Sequence, residues 1–255
     1  MKKSILLLLL ILNIYSWSKI EDETNNICLS NCTILQGKFI TTNNIGIEGI
    51  KVSLSYKSFG TLGTFNYTRL IAETQTDENG KFYQEFYVKE NELGNLANGC
   101  FIVDFDDANL DSNEYILSGY RIETTTPPLE AFYSINSRDT IIGNTYYLPK
   151  KTAIKVILNN FNPLKEGDYF EVATFYPFGP SITTNNFLNS EYATGFSGGS
   201  GMFKADGINS KLNPFVADNE ENIIQITRRK NGVFTKENIS VFVPINNTLE
   251  LNYEY

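Results

Sequence analysis

The chain has 255 residues, 42% of them hydrophobic, and a formal net charge of −8, with three cysteines and no histidine. The acidic balance argues against nucleic acid and anionic membrane surfaces as partners, because both repel a negative protein. The lack of histidine removes Ser-His-Asp and Cys-His catalysis and every His-ligated metal site, and three cysteines cannot by themselves close a four-ligand zinc site.

Met1-Lys2-Lys3 is a short basic segment, and Ile5 to Ile14 is apolar apart from Asn13. That run is too short to cross a bilayer, which takes about 20 apolar residues. Followed by small residues at Ser16 and Ser18, it reads as a signal peptide over residues 1–18, cleaved near Ser18. An uncleaved anchor is the alternative. The first cysteine, Cys28, is too far from the apolar run to be a lipidation site. No later stretch is apolar enough for a transmembrane helix, so no membrane span is expected in the mature chain. Loss of Lys2 and Lys3 leaves 19 basic against 29 acidic residues, a net −10. Export makes a disulfide plausible. Three cysteines allow three pairings, and the favoured one joins Cys100 to Cys32 or Cys28, tying the N-terminal segment to a sheet, with three reduced, buried thiols as the alternative.

Residues 19–32 read as a loose polar leader. Thr33 to Thr41 reads as a strand, followed by the turn Thr42-Asn43-Asn44-Ile45-Gly46. Ile50, Val52, Leu54 and Tyr56 alternate with polar residues, the period-two pattern of a strand with one buried face. Arg69 to Thr76 and Phe82 to Val88 flank Asp77-Glu78-Asn79-Gly80, and Asn-Gly between such runs predicts a tight hairpin. Phe82, Phe86 and Val88 share one face of the second run, opposite Tyr83, Glu85 and Tyr87. Cys100 to Asp106 and Tyr115 to Thr124 are further strands.

Three motifs resemble a known family. Gly37-Lys38-Phe39, Gly46-Ile47-Glu48-Gly49-Ile50-Lys51-Val52 and Thr76-Asp77-Glu78-Asn79-Gly80-Lys81-Phe82 look like the carboxypeptidase regulatory-like (transthyretin-like) domain, over residues 33–123. The resemblance implies a seven-stranded β-sandwich, usually an accessory module of secreted or outer-membrane proteins. It implies no activity.

Thr124-Thr125-Thr126-Pro127-Pro128 reads as a boundary, since paired prolines cannot continue a ladder. Beyond it, Thr152 to Leu158, Tyr169 to Tyr176, Ile223 to Arg229, Val233 to Lys236, Ile239 to Val243 and Leu249 to Tyr253 are strand candidates, with a second Asn-Gly turn at Asn231-Gly232. Pro177 to Leu212 is Gly/Ser/Asn-rich and reads as a long loop, either a mobile surface loop or, with the acidic loop after Phe105, a place for a functional site. The expected architecture is all-β: after the signal peptide and leader, a carboxypeptidase regulatory-like sandwich over 33–126 and a second, Ig-like β-rich domain over 127–255.

Candidate sites are few. Gly195-Phe196-Ser197-Gly198-Gly199 spells a nucleophile elbow, but with no histidine to activate the serine it reads as a flexible loop. Asp104 to Asp111 is rich in carboxylates and could serve Ca²⁺, yet Asn109 and Tyr115 stand where an EF-hand needs Gly and Glu. It reads as a solvated acidic turn, with an irregular Ca²⁺ site as the alternative. Tyr146-Tyr147, Phe175-Tyr176-Pro177-Phe178, Tyr253 and Tyr255 could stack on sugars or anchor a protein, but cross-strand packing is the simpler use. Arg228-Arg229-Lys230 reads as a solvated turn. Asn31, Asn66, Asn238 and Asn246 head glycosylation sequons. No residue is assigned to catalysis, a cofactor or a metal. The expectation is a secreted or surface-exposed non-enzymatic protein that binds, displays or spaces, with an unidentified protein or glycan partner. A carbohydrate-binding or carboxylate-based carbohydrate-active protein is the alternative.

Overall fold

The computed structural model describes residues 19–22, 28–60, 65–94, 99–119, 129–161, 167–182, 195–208, 210–245 and 247–255. Its first half runs β1 (Lys19–Asp22), β2 (Thr33–Thr41), β3 (Ile45–Gly46), β4 (Lys51–Phe59), β5 (Phe65–Gln75), β6 (Lys81–Phe86), β7 (Cys100–Asp106), β8 (Glu130–Tyr133), β9 (Ile141–Ile142) and β10 (Thr145–Tyr147). The second half runs β11 (Lys151–Asn159), β12 (Tyr169–Tyr176), β13 (Gly179–Pro180), β14 (Gly199–Lys204), β15 (Lys211–Leu212), β16 (Phe215–Ala217), β17 (Glu221–Lys230), β18 (Val233–Phe242) and β19 (Leu249–Glu254). Helical structure among the described residues is limited to short 3-10 turns such as Thr42–Asn44 and Glu90–Glu92. None of the described helices is long and apolar enough to cross a membrane. The fold is all-β.

Two pairs of sheets stack. In the first, β1-β5-β4-β7-β8 faces a sheet ordered β13-β10-β2-β3, to which β6 and β9 are added through β2. Alternation dictates the packing: Val52, Leu54 and Tyr56 from one sheet and Leu35, Phe39, Phe82 and Phe86 from the other are all buried in one cluster. Phe39 is its hub, with ring centroids 5.1 Å from Phe105 and 4.8 Å from Tyr146. Such aromatic pairs add about 0.5–1.5 kcal/mol beyond area burial. In the second pair, β11 with β15, β16 and β19 packs on β14-β12-β17-β18 around Ile154, Val156, Phe170, Val172, Ile224 and Ile226. The halves share apolar contact, because Tyr176, Phe178, Phe215 and Ala217 join the first cluster.

Several expectations are corrected. β5 and β6 do not pair: β5 lies beside β4 in one sheet and β6 beside β2 in the other, so Asp77 to Gly80 is an arch between sheets and not a hairpin turn. The arch is fixed by Asp77 Oδ1, which accepts from the amides of Asn79 and Lys81 at 2.9 and 2.8 Å. Asn231-Gly232 does turn a hairpin, with φ of 52° and 80° and ten register pairs between β17 and β18. Positions 233–243 hold one strand where two were expected. Lys19–Asp22, expected in a loose leader, forms β1 parallel to β5. Of the strand expected over 115–124, the described part contributes one bridge, Tyr115 to Lys150; residues 120–128, with Pro127 and Pro128, lie outside the described residues. Beyond them, β8 pairs with β7, and β9 and β10 pair in parallel with β2. The Pro177 to Leu212 stretch carries β13, β14 and β15, and residues 183–194 within it lie outside the described residues. Residues 1–18, with the expected signal peptide, also lie outside them.

The disulfide joins Cys28 to Cys32, with Cα atoms 5.8 Å apart, and Cys100 is a buried free thiol. The favoured bond to Cys100 is therefore corrected. Cys100 starts a central strand paired with β4 and β8, with its side chain inside.

Candidate ligand groove

The register between β2 and β6 sets Lys38 opposite Lys81, Gln36 opposite Tyr83 and Ile34 opposite Glu85. Because side chains alternate, these pairs share the outer face, while Phe39, Phe82 and Phe86 fill the core. On the other side of β2, Ile141 aligns with Ile34 and Thr145 with Lys38. The turn between β9 and β10 presses onto β2 at Gly143. There φ is 138°, and a Cβ would stand 1.6 Å from the Gln36 carbonyl oxygen, so a side chain would push the turn off the sheet.

The result is an open groove of about 580 Å³. Gly37, Phe82, Ile142 and Gly143 contribute to its floor and rim, and Asn144, Thr145, Gln36 and the two lysines give it polar groups. None of the lining residues is Asp or Glu. Asn144 is fixed at both ends of its amide, donating to the Ser181 carbonyl at 2.7 Å and accepting from the Thr145 amide at 2.7 Å. Tyr83 is 52% exposed and donates its hydroxyl to Glu85 Oε1 at 2.6 Å; that hydrogen bond, before its slight burial, holds the phenol above its ordinary pKa. Ile141 is 60% exposed at the end where it aligns with Ile34.

Two carboxylates near one phenol lie elsewhere, Glu220 and Asp218 beside Tyr147 at the contact between the halves. Tyr147 donates to Glu220 Oε1, and Thr42 donates to the Asp218 carbonyl at 3.0 Å. Asp218 is buried, and its Oδ1 accepts no hydrogen bond among the described residues. Burial pushes the carboxyls of Asp218 and Glu220 above the usual range; for Asp218 the Asn219 amide and Lys150 oppose it, and for Glu220 the Tyr147 bond does. Burial, then the bond to Glu220, also raises Tyr147.

The other candidates resolve into structural roles. In the acidic segment, Asp106 accepts from the Ala108 amide, Asp111 from Asn113, and Asp107 from the Ser118 amide and hydroxyl. No group of three or more Cys, Asp or Glu side chains among the described residues could hold a metal ion. Ser197 of the Gly-Ser loop donates to the Phe178 carbonyl. Tyr146, Tyr147, Tyr176 and Phe178 are buried, and the rings of Tyr253 and Tyr255 pack on Phe170 and Phe161 at 5.8 and 4.8 Å. Arg228 lies on β17, donating to Thr235 Oγ1 and the Glu254 carbonyl, and Lys230 sits 5.3 Å from the Tyr255 ring centroid. Among the sequons, Asn246 lies outside the described residues, and Asn238 accepts from Gln225 on the exposed face of β18. Sequence reasoning missed Lys38, Lys81, Ile141 and Asn144. Only Tyr83 carried a local signal, by alternating outward from Phe82.

No protein-family model matches the chain, and no curated protein matches it in sequence. Among solved structures, the Bacillus anthracis TIE protein is 9% identical over 88% of this chain, which spans about a third (33%) of that protein, with a TM-score of 0.28. The shaft pilin SpaA of Lactobacillus rhamnosus GG is 10% identical, with 88% of this chain and 97% of that one covered and a TM-score of 0.31. BcpA, the major pilin subunit of Bacillus cereus, is 14% identical, with 83% and 69% covered and a TM-score of 0.27. Superpositions at this level carry no inference about function.

Proposed function

We propose that the protein is an exported, non-enzymatic β-sandwich module that binds an extracellular ligand in the groove between β6, β2 and the β9–β10 turn. The observation that carries this reading is the groove itself: a concavity with an exposed aromatic ring, two lysines and the fixed amide of Asn144 on one sheet face. Hydrolysis by paired carboxylates is not favoured there, because that chemistry needs two acids flanking the bond to be cleaved. Export is supported by the basic and apolar N-terminal sequence, and the Cys28–Cys32 disulfide fits an oxidising compartment. The same reading takes residues 33–123 as a carboxypeptidase regulatory-like scaffold, supported by the Gly46 to Val52 and Thr76 to Phe82 motifs.

The test screens the purified mature chain against immobilised polysaccharides and purified extracellular proteins, comparing the native sequence with Tyr83→Ala and Ile141→Ser. A ligand whose retention falls at least tenfold in either variant is expected. Ligands retained equally by all three proteins would place binding elsewhere and overturn the groove reading.

A further inference from the structure

Resting on the groove reading, we propose that the ligand is an acidic glycan: Lys38 and Lys81 meet its carboxylate or sulfate groups, and Tyr83 carries a sugar ring. Lys38 and Lys81 are directly opposed on neighbouring antiparallel strands. Such residues have Cβ atoms about 5 Å apart, and like charges there are destabilising. Neither lysine has a carboxylate partner among the described residues, whereas Arg69, Arg138, Lys150 and Lys155 each have one. The two lysines line one groove whose lining holds no Asp or Glu. A bound anion between them turns the repulsion into attraction.

The neighbouring groups select a sugar. Tyr83 follows Lys81 by two residues on the same face, about 7 Å along the strand. Its ring has no aromatic or cationic neighbour among the described residues, unlike Tyr87, over which the Arg138 guanidinium carbon sits at 4.6 Å. The bond from its hydroxyl to Glu85 tethers it, so little side-chain freedom is lost when a ring stacks on it. Glu85 lies four residues beyond Lys81, at the far end of the face, and leaves the two ammonium groups to the ligand. Gln36, Asn144 and Thr145 supply amide and hydroxyl groups for sugar hydroxyls. An extended peptide fits less well, because peptide addition to a sheet needs a free main-chain edge. β2, which forms the floor, is paired with β6 on one side and with β9 and β10 on the other, and the edge of β6 left without a strand among the described residues is the one away from β2 and the groove. Recognition therefore falls to side chains.

The experiment measures retention of the mature chain on polygalacturonate, dextran sulfate, neutral dextran and poly-glutamate, at about 0.05 M and about 0.5 M salt. Lys38→Gln/Lys81→Gln, Lys38→Arg/Lys81→Arg and Tyr83→Ala are compared, each checked for an unchanged unfolding midpoint. An acidic polysaccharide is expected to bind at low salt and weaken at high salt, where the screening length falls to a few ångströms. The Gln pair and Tyr83→Ala should each weaken it at least tenfold, and the Arg pair should retain it. Binding of dextran as strong as that of the acidic polymers, and lost in Tyr83→Ala, would overturn the acidic ligand while keeping the groove. Poly-glutamate retained as strongly, and indifferent to Tyr83→Ala, would overturn it in favour of an acidic peptide. Acidic polysaccharide binding unchanged in every variant would overturn both the ligand and the groove. No retention of any polymer would overturn the acidic glycan, leaving the groove to the wider panel.

Discussion

Gly80→Ala isolates what holds the arch between the two sheets. Gly80 has φ of 74°, and a Cβ there would stand 2.1 Å from the Phe39 carbonyl oxygen, 2.7 Å from the Ile47 amide nitrogen and 2.9 Å from Gly46 Cα. All three are backbone atoms, so no side chain can move aside. The left-handed conformation costs a non-glycine residue about 1–2 kcal/mol. Relief of the clash moves the arch away from β2 and breaks the bond from the Phe39 amide to the Gly80 carbonyl, 2.8 Å long. An unsatisfied buried amide costs about 1–3 kcal/mol. The expected loss is therefore about 2–5 kcal/mol. Gly49→Ala is the control: φ is 84°, but nothing lies within 4 Å of its would-be Cβ, so only the conformational part of about 1–2 kcal/mol applies. Urea unfolding of the chain over residues 19–255 followed by far-ultraviolet circular dichroism gives both values. Equal losses in the two variants would refute the packing argument, and an unchanged midpoint for Gly80→Ala would refute the arch.

The buried pair of Arg69 and Glu92, with Arg69 Nε donating to Glu92 Oε1 at 2.7 Å, should behave as a unit: Arg69→Met costs about 3–5 kcal/mol, and adding Glu92→Leu restores more than half in a double-mutant cycle. A cycle with additive losses would refute the coupling. Cys100 should resist thiol reagents in the folded protein and give one reactive thiol in denaturant, since burial both shields it and pushes its pKa up. Rapid labelling of the native chain would contradict its placement. Asp218 and Glu220 have folded pKa values raised by burial, so between the ordinary carboxylate value of about 4 and the raised one the folded state holds protons that the unfolded state has lost. Stability from these groups is greatest below that window and falls as pH rises through it. Asp218→Asn/Glu220→Gln should flatten the fall of the urea midpoint as pH rises above the ordinary carboxylate value of about 4, and an unaltered slope would refute it.

What the sequence conveyed was local, and what it withheld was pairing. Thr33–Thr41 and Tyr169–Tyr176 form strands with the bounds their patterns indicate, and Phe82, Phe86 and Val88 are buried where period two puts them. Alternation needs only a strand and a core, and both are properties of a few consecutive residues. Asn79-Gly80 shows the limit. Tight turning and a positive φ at Gly80 serve an arch as well as a hairpin, and the choice depends on Gly46 and Phe39, which meet the turn from another part of the chain. Strands β9 and β10, two and three residues long, pair in parallel with β2 and carry no turn signal linking them to it. The groove is the product of those non-local choices. Lys38 and Lys81 lie far apart in sequence and become neighbours only through the register of β2 on β6. A slip of β6 by one residue would turn Phe82 outward and Lys81 inward, away from Lys38, so the buried aromatic face that fixes the fold also fixes the two charges side by side.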